Sequence, residues 1–152
     1  MIQQKKIKMQ IKNTFPPNWN EIKKVFPKAE EQQAVFTFGE TLHNPFKAEI
    51  TRDLEIHEAV HSKQQGKDPQ EWWDRYCKEP EFRVEEETIA YGTQLYYLKN
   101  TKVKDGKYLP SRVIEWYIDK IAQTLSGKLY GECITYNKAK TRLRHFIREV
   151  DK

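Results

Sequence analysis

The chain has 152 residues, and 27 basic against 22 acidic side chains give a formal charge of +5. At about 150 residues per domain this predicts one compact unit, residues 1–152, and argues against two. A hydrophobic share of 38% with 12% aromatics and four Trp can supply a small core, which excludes wholesale disorder. No run approaches the roughly 18 apolar residues of a membrane span, and the start Met1-Ile-Gln-Gln-Lys-Lys has no apolar signal core, so a cytoplasmic setting without membrane contact is expected.

Ile7 to Lys12 alternates apolar with polar, the period of a half-exposed strand near residues 6–12, and Pro16-Pro17 ends it. Asn18 can cap a brief helix with Trp19, Ile22, Val25 and Phe26 on one side, closed by Pro27. Gln33 to Phe38 reads as a strand, Gly39 punctuates it, and Thr41-Leu42-His43 returns beside it. Asn44-Pro45 turns the chain, and Phe46 to Ile50 reads as a further edge strand. Thr51 or Asp53 then caps a helix carrying Leu54, Ile56, His57, Val60 and His61, with Gly66 as its left-handed stop.

Asp68-Pro69 opens a short helix whose Trp72, Trp73 and Tyr76 anchor it to the core, and Glu79-Pro80 opens a long one running to about Lys99. Past Pro110, Val113, Ile114, Tyr117, Ile118 and Ile121 recur at helical spacing, and Gly127 and Gly131 mark a break. Asn137 to Val150 is a basic helix with Leu143, Phe146 and Ile147 turned inward. The predicted class is α+β with more helix than strand: a small antiparallel sheet from residues 6–12, 33–38 and 41–50, packed on the His57 helix and the Pro80–Lys99 helix, with further helices at the C-terminus.

His57-Glu58-Ala59-Val60-His61 is a His-Glu-x-x-His motif within a predicted helix, where residues four apart share a face. Two imidazoles so placed can grip one ion; zinc suits them, and in catalytic sites it takes three protein ligands and leaves a position for water. Glu58, following the first ligand, can then serve as general base and afterwards as acid. The bland alternative is a pair of ordinary helix histidines. Gly66 sits at the wrong offset for the metzincin extension, and no His follows it there.

A third ligand is expected from the next long helix, where Glu85-Glu86-Glu87 offers three carboxylates. At about 100° per residue Glu87 falls at the edge of the apolar stripe Val84, Tyr91, Leu95 and Leu98, while Glu86 points nearly opposite and Glu85 toward Phe82, Ile89 and Tyr96. A carboxylate beside a buried face calls for a cation, so Glu87 is preferred, with Glu85 and Glu86 in reserve. Tyr91, one turn on, could donate to an oxyanion or simply pack in the core. Arg83, one turn before, could orient Glu87 or lie exposed.

His57-Glu-Ala-Val-His61 followed by Glu87-Thr-Ile-Ala90-Tyr91 resembles the gluzincin arrangement, in which a downstream Glu-x-x-Ala segment donates the third zinc ligand. More of the chain, roughly residues 35 to 147, is similar to small zincin-like proteins of tailed bacteriophages: Asp53 to Gln65, Trp72-Trp73-Asp74-Arg75-Tyr76, Arg83-Val-Glu85 leading to Ala90-Tyr91, and the Leu129-Tyr130-Gly131 turn. At this length no counterpart of the second domain that walls the cleft of thermolysin-like enzymes is expected. The resemblance implies a minimal zincin-like fold and a zinc metallopeptidase acting on peptides or cell-wall crosslinks. It also implies a rival role, a structural component of the phage particle among other virion proteins, with little chemistry.

Other features read as structural. Cys77 and Cys133 form no Cys-x-x-Cys pair and are expected as reduced thiols. His43 and His145 have no partner at ligand spacing and are expected at the surface or in packing. Lys138, Lys140, Arg142, Arg144 and Arg148 read as a solvated helix face, so a nucleic-acid partner rests on charge alone and is not expected.

Overall fold

The computed structural model describes residues 9–103 and 105–152. In chain order its elements are β1 (Gln10–Lys12), α1 (Trp19–Val25), α2 (Lys28–Glu31), β2 (Phe36–Phe38), β3 (Thr41–His43), α3 (Arg52–Gln65), α4 (Pro69–Lys78), α5 (Pro80–Asn100), α6 (Ser111–Leu125), a single 3-10 turn (Lys128–Tyr130) and α7 (Tyr136–Val150). This is an α+β chain in which helix far exceeds strand, as the periodicities predict. Among the described residues no helix is long and apolar enough to cross a membrane.

The sheet departs from the prediction. Its order is β1-β3-β2, with β3 antiparallel to β2 (Thr37 opposite Leu42) but parallel to β1 (Ile11 opposite Leu42). Strands β2 and β3 are joined by the two-residue turn Gly39-Glu40, where Gly39 adopts φ 63°. Strand β1 reaches β3 only after the chain has passed through α1 and α2, and such a crossover is what parallel pairing requires. The predicted stretch at residues 6–8 lies outside the described residues. The edge strand predicted over Phe46–Ile50 is absent. The Asn44 side chain instead brackets Ala48, donating from Nδ2 to its carbonyl and accepting from its N–H, both at 2.9 Å, so those backbone groups are spent within a loop. Nor does the sheet pack on both predicted helices. Strand β2 packs on α3, and it is α3 that packs on α5.

Helix boundaries follow local chemistry. Pro80 occupies the first turn of α5, where a missing N–H costs nothing, and Asp68 caps α4 by accepting the Glu71 N–H at 3.0 Å. Gly66 ends α3 with φ 56°, a conformation that L side chains rarely adopt. Asn18 and Thr51 hold the N-cap positions of α1 and α3 without side-chain capping bonds. Pro27 closes α1 as expected, but the chain resumes at once as the short α2.

Two apolar clusters result. Leu95, Ile118, Leu125 and Leu143 lead the one formed by α5, α6 and α7; Ile22, Phe26, Trp72 and Trp73 lead the other, and Tyr130 packs against both. Helix α5 meets α7 closely at Gly92, where an added Cβ would lie 2.2 Å from the Phe146 ring. Gly92→Ala should therefore destabilise the fold by about 1–3 kcal/mol despite the better helix propensity of alanine, as read by urea denaturation.

Candidate metal centre

Helix α3 is unusual in what it buries: His57, Glu58, His61 and Gln65, all polar. Facing it, α5 buries Glu87 and Gln94, seven residues or two turns apart on one helix face, and also buries Arg83 one turn before Glu87. Polar groups removed from water are costly unless each finds a partner, so the seam between these helices is specified by its pairings.

At its centre Glu87, 2% exposed, stands against both histidines. His61 Nε2 lies 2.6 Å from Glu87 Oε1, His57 Nε2 lies 3.4 Å from Oε2, and the two Nε2 atoms are 3.1 Å apart. Ligands about 2.0–2.1 Å from a tetrahedral centre stand about 3.3 Å from one another, so these separations suit a single ion. Glu87 Oε2 is buried without a hydrogen-bond partner, an acceptor that a cation would satisfy. His57, His61 and Glu87 thus form a buried group able to hold a metal ion.

The electrostatics agree. Burial alone would push the His61 imidazolium down, but the charge and hydrogen bond of Glu87, with help from Glu58 and Gln64, outweigh it and raise its pKa to about 9. Burial likewise pushes Glu87 up, but the positive charge of His61 and the close approach of both histidines reverse this and hold its carboxyl well below the usual range. A proton on His61 balances Glu87, and a metal ion bound there would take that proton's place.

The other predicted residues are distributed unevenly. Glu85 is exposed. Glu86 turns away and accepts from Trp72 Nε1 at 2.8 Å. Glu58 is buried, its carboxylate Oε2 accepting from the Thr37 hydroxyl at 2.6 Å because β2 lies directly over α3. Arg83 neither touches Glu87 nor lies exposed. Its guanidinium donates to the carbonyls of Tyr76, Cys77 and Tyr130, each at 2.9 Å, clamping the end of α4 to the 3-10 turn. Tyr91 packs edge-on to His57 with ring centroids 4.3 Å apart, and its hydroxyl is 2.7 Å from that of Tyr130. Burial first, then the nearby Glu87 charge, raises the Tyr91 hydroxyl pKa and keeps it protonated. His43 is buried, with Nδ1 3.0 Å from Thr14 Oγ1, and His145 is exposed; neither joins the group.

Tyr76 was expected only as a core residue, and Tyr130 only in a turn. Yet the Tyr76 hydroxyl donates to Glu87 Oε1 at 3.3 Å, and both tyrosines border the small cavity of about 70 Å³ on which His57, Glu58, His61 and Glu87 also open. Ile22 of α1, Phe26 just after it and Ala29 of α2 line its apolar side. Comparison of the chain with family models, with curated proteins and with solved structures finds no match.

Glu87→Gln should weaken metal binding far more than Glu85→Gln or Glu86→Gln in chelator competition, since only Glu87 faces the histidines. The metal-free protein should also lose stability with rising pH. Because His61 titrates higher folded than its unfolded value of about 6.5, its contribution is complete below that value and is lost as pH rises through about 9. Melting temperatures measured from pH 6 to 10 should fall across that window in the metal-free protein and much less in the metal-saturated one.

Proposed function

We propose that the protein is a zinc-dependent hydrolase of the peptidase type, with His57, His61 and Glu87 as ligands, Glu58 as general base and then acid, and Tyr91 as an oxyanion donor. The observation that carries this reading is that Glu58 opens on the same cavity as the three ligands. Two imidazoles and one carboxylate, with a position left over, is a donor set suited to catalytic zinc. Zinc bound there supplies positive charge that polarises a carbonyl and acidifies water.

The remaining work falls to side chains. Thr37 engages Glu58 Oε2, so Oε1 is the oxygen left to take a proton from the attacking water and pass it to the leaving amine. The Tyr91 and Tyr130 hydroxyls share a hydrogen bond; one of them can turn its proton to the oxyanion while the other supports it. The cavity of about 70 Å³ holds a few waters rather than a peptide, so it must widen for an extended chain to reach Glu58. The substrate is a peptide or a cell-wall peptide crosslink.

That same enclosure favours a second reading: a building block, such as a component of a phage particle contacting other virion proteins, in which the metal only braces α3 against α5. One substitution separates the two. In a hydrolase Glu58→Gln leaves zinc content unchanged while lowering cleavage of peptide or cell-wall substrates by at least roughly a hundredfold. Full cleavage by this variant would refute the role of Glu58, and a wild type that holds zinc but cleaves nothing would favour the building block.

A further inference from the structure

The Nδ1 atoms of the two histidines, on the side away from Glu87, each meet a glutamine. His57 Nδ1 lies 3.1 Å from Gln94 Oε1, and Gln94 Nε2 donates to Asp53 Oδ2 at 2.7 Å. His61 Nδ1 lies 2.8 Å from Gln64 Oε1, and Gln64 Nε2 donates to the Glu86 carbonyl at 3.1 Å. An amide viewed alone could face either way, and an imidazole could carry its proton on either nitrogen. Here the far end of each chain removes that freedom. An ionised carboxylate and a backbone carbonyl can only accept, so each glutamine must offer its NH₂ outward and its oxygen inward, and each Nδ1 must carry the hydrogen.

We propose that Gln94, anchored by Asp53, and Gln64, anchored by the Glu86 carbonyl, are positioning residues that fix the Nδ1–H tautomer of both histidines and so commit both Nε2 lone pairs to one metal ion. The inference rests on the metal-binding reading of His57, His61 and Glu87. It accounts for an otherwise unexplained contact: His57 Nε2 and Glu87 Oε2 face each other at 3.4 Å, and Oε2 receives no hydrogen bond. With the His57 proton committed to Gln94, the facing atoms are two lone pairs, an arrangement that a cation relieves and a proton on Nδ1 cannot. Each chain also spans the α3–α5 seam, since Gln94 and Glu86 lie on α5 while Asp53, His57, His61 and Gln64 lie on α3. Ring orientation and helix spacing are therefore fixed by the same bonds. Partners of ligating histidines are commonly a carboxylate or carbonyl; here a neutral amide is inserted, which holds the ring while keeping the Asp53 charge one residue away from the metal.

The test compares zinc affinity, by chelator competition on the full chain, in Gln94→Met, Gln64→Met and the double substitution Asp53→Asn with Gln94→Glu. Each methionine variant keeps the side-chain length but removes the acceptor, and should bind zinc about 10–100-fold more weakly. The double substitution returns an acceptor to His57 Nδ1 and a donor to hold it, and should recover affinity to within about threefold, which mere filling of space would not achieve. Methionine variants that bind like the wild type, or a double substitution as weak as Gln94→Met, would overturn the proposal. Nitrogen-15 NMR of the metal-free wild type reads the tautomer directly: a His57 protonated on Nδ1 supports the relay, and one protonated only on Nε2 overturns it. Failure of the wild type to bind zinc would instead remove the metal reading, which the tautomer measurement keeps separate.

Discussion

The organising constraint is one buried carboxylate. Glu87 brings a negative charge into the seam between α3 and α5, and the neighbouring side chains are arranged around the need to compensate it. His57 and His61 meet its two oxygens, and Tyr76 adds a donor. A buried charge left alone would cost several kcal/mol, so removing either histidine should do more harm than a small cavity would. A pair of helices joined in this way is held less by oily contact than by reciprocal obligation: each polar group is tolerable only because the other is present. The apolar clusters around Leu95 and Trp73 lie to either side of Tyr130, supplying the bulk of the burial that such a seam cannot.

How much of this could be read from the sequence depended on distance along the chain. His57 and His61 sit four apart, and helical periodicity alone puts them on one face. The inward turn of Glu87 followed from the angle it makes with Val84 and Tyr91. Asp53 and Gln94 carried a usable signal as well, for Asp53 lies one turn before His57 and Gln94 two turns after Glu87, so both share faces with the ligands. Thr37 gave none. It reaches Glu58 only because β2 crosses over α3, a tertiary relation that no local pattern encodes. Tyr130 is brought to Tyr91 from a separate 3-10 turn. The burial of Arg83 was equally illegible, since its three carbonyl partners come from two other segments. The parallel strand was missed because alternation specifies a strand but not its direction.

Burial of the whole constellation separates binding from turnover. Tight ligation needs ordered side chains and little water, which the α3–α5 seam provides. Hydrolysis needs a route for substrate, and the small cavity beside the histidines is lined on its apolar side by Ile22, Phe26 and Ala29 from the segment that carries α1 and α2. Ile22, Phe26 and Ala29 pack into one buried cluster with Phe36, Trp72, Trp73 and Tyr76. The segment from Trp19 to Glu31 thus contributes apolar side chains to the same cavity on which His57, His61 and Glu87 open.

The Thr37 carbonyl accepts Gln65 Nε2 at 2.7 Å and Trp73 Nε1 at 2.9 Å, and Gln65 Oε1 takes the Gly39 N–H at 2.7 Å. Strand β2 is an outer strand of the sheet, and such an edge ordinarily offers unpaired backbone groups to any extended chain that drifts past. Here two side chains from α3 and α4 have already filled that carbonyl. The sheet cannot be extended through that carbonyl, so a peptide lying along β2 finds its central acceptor already taken.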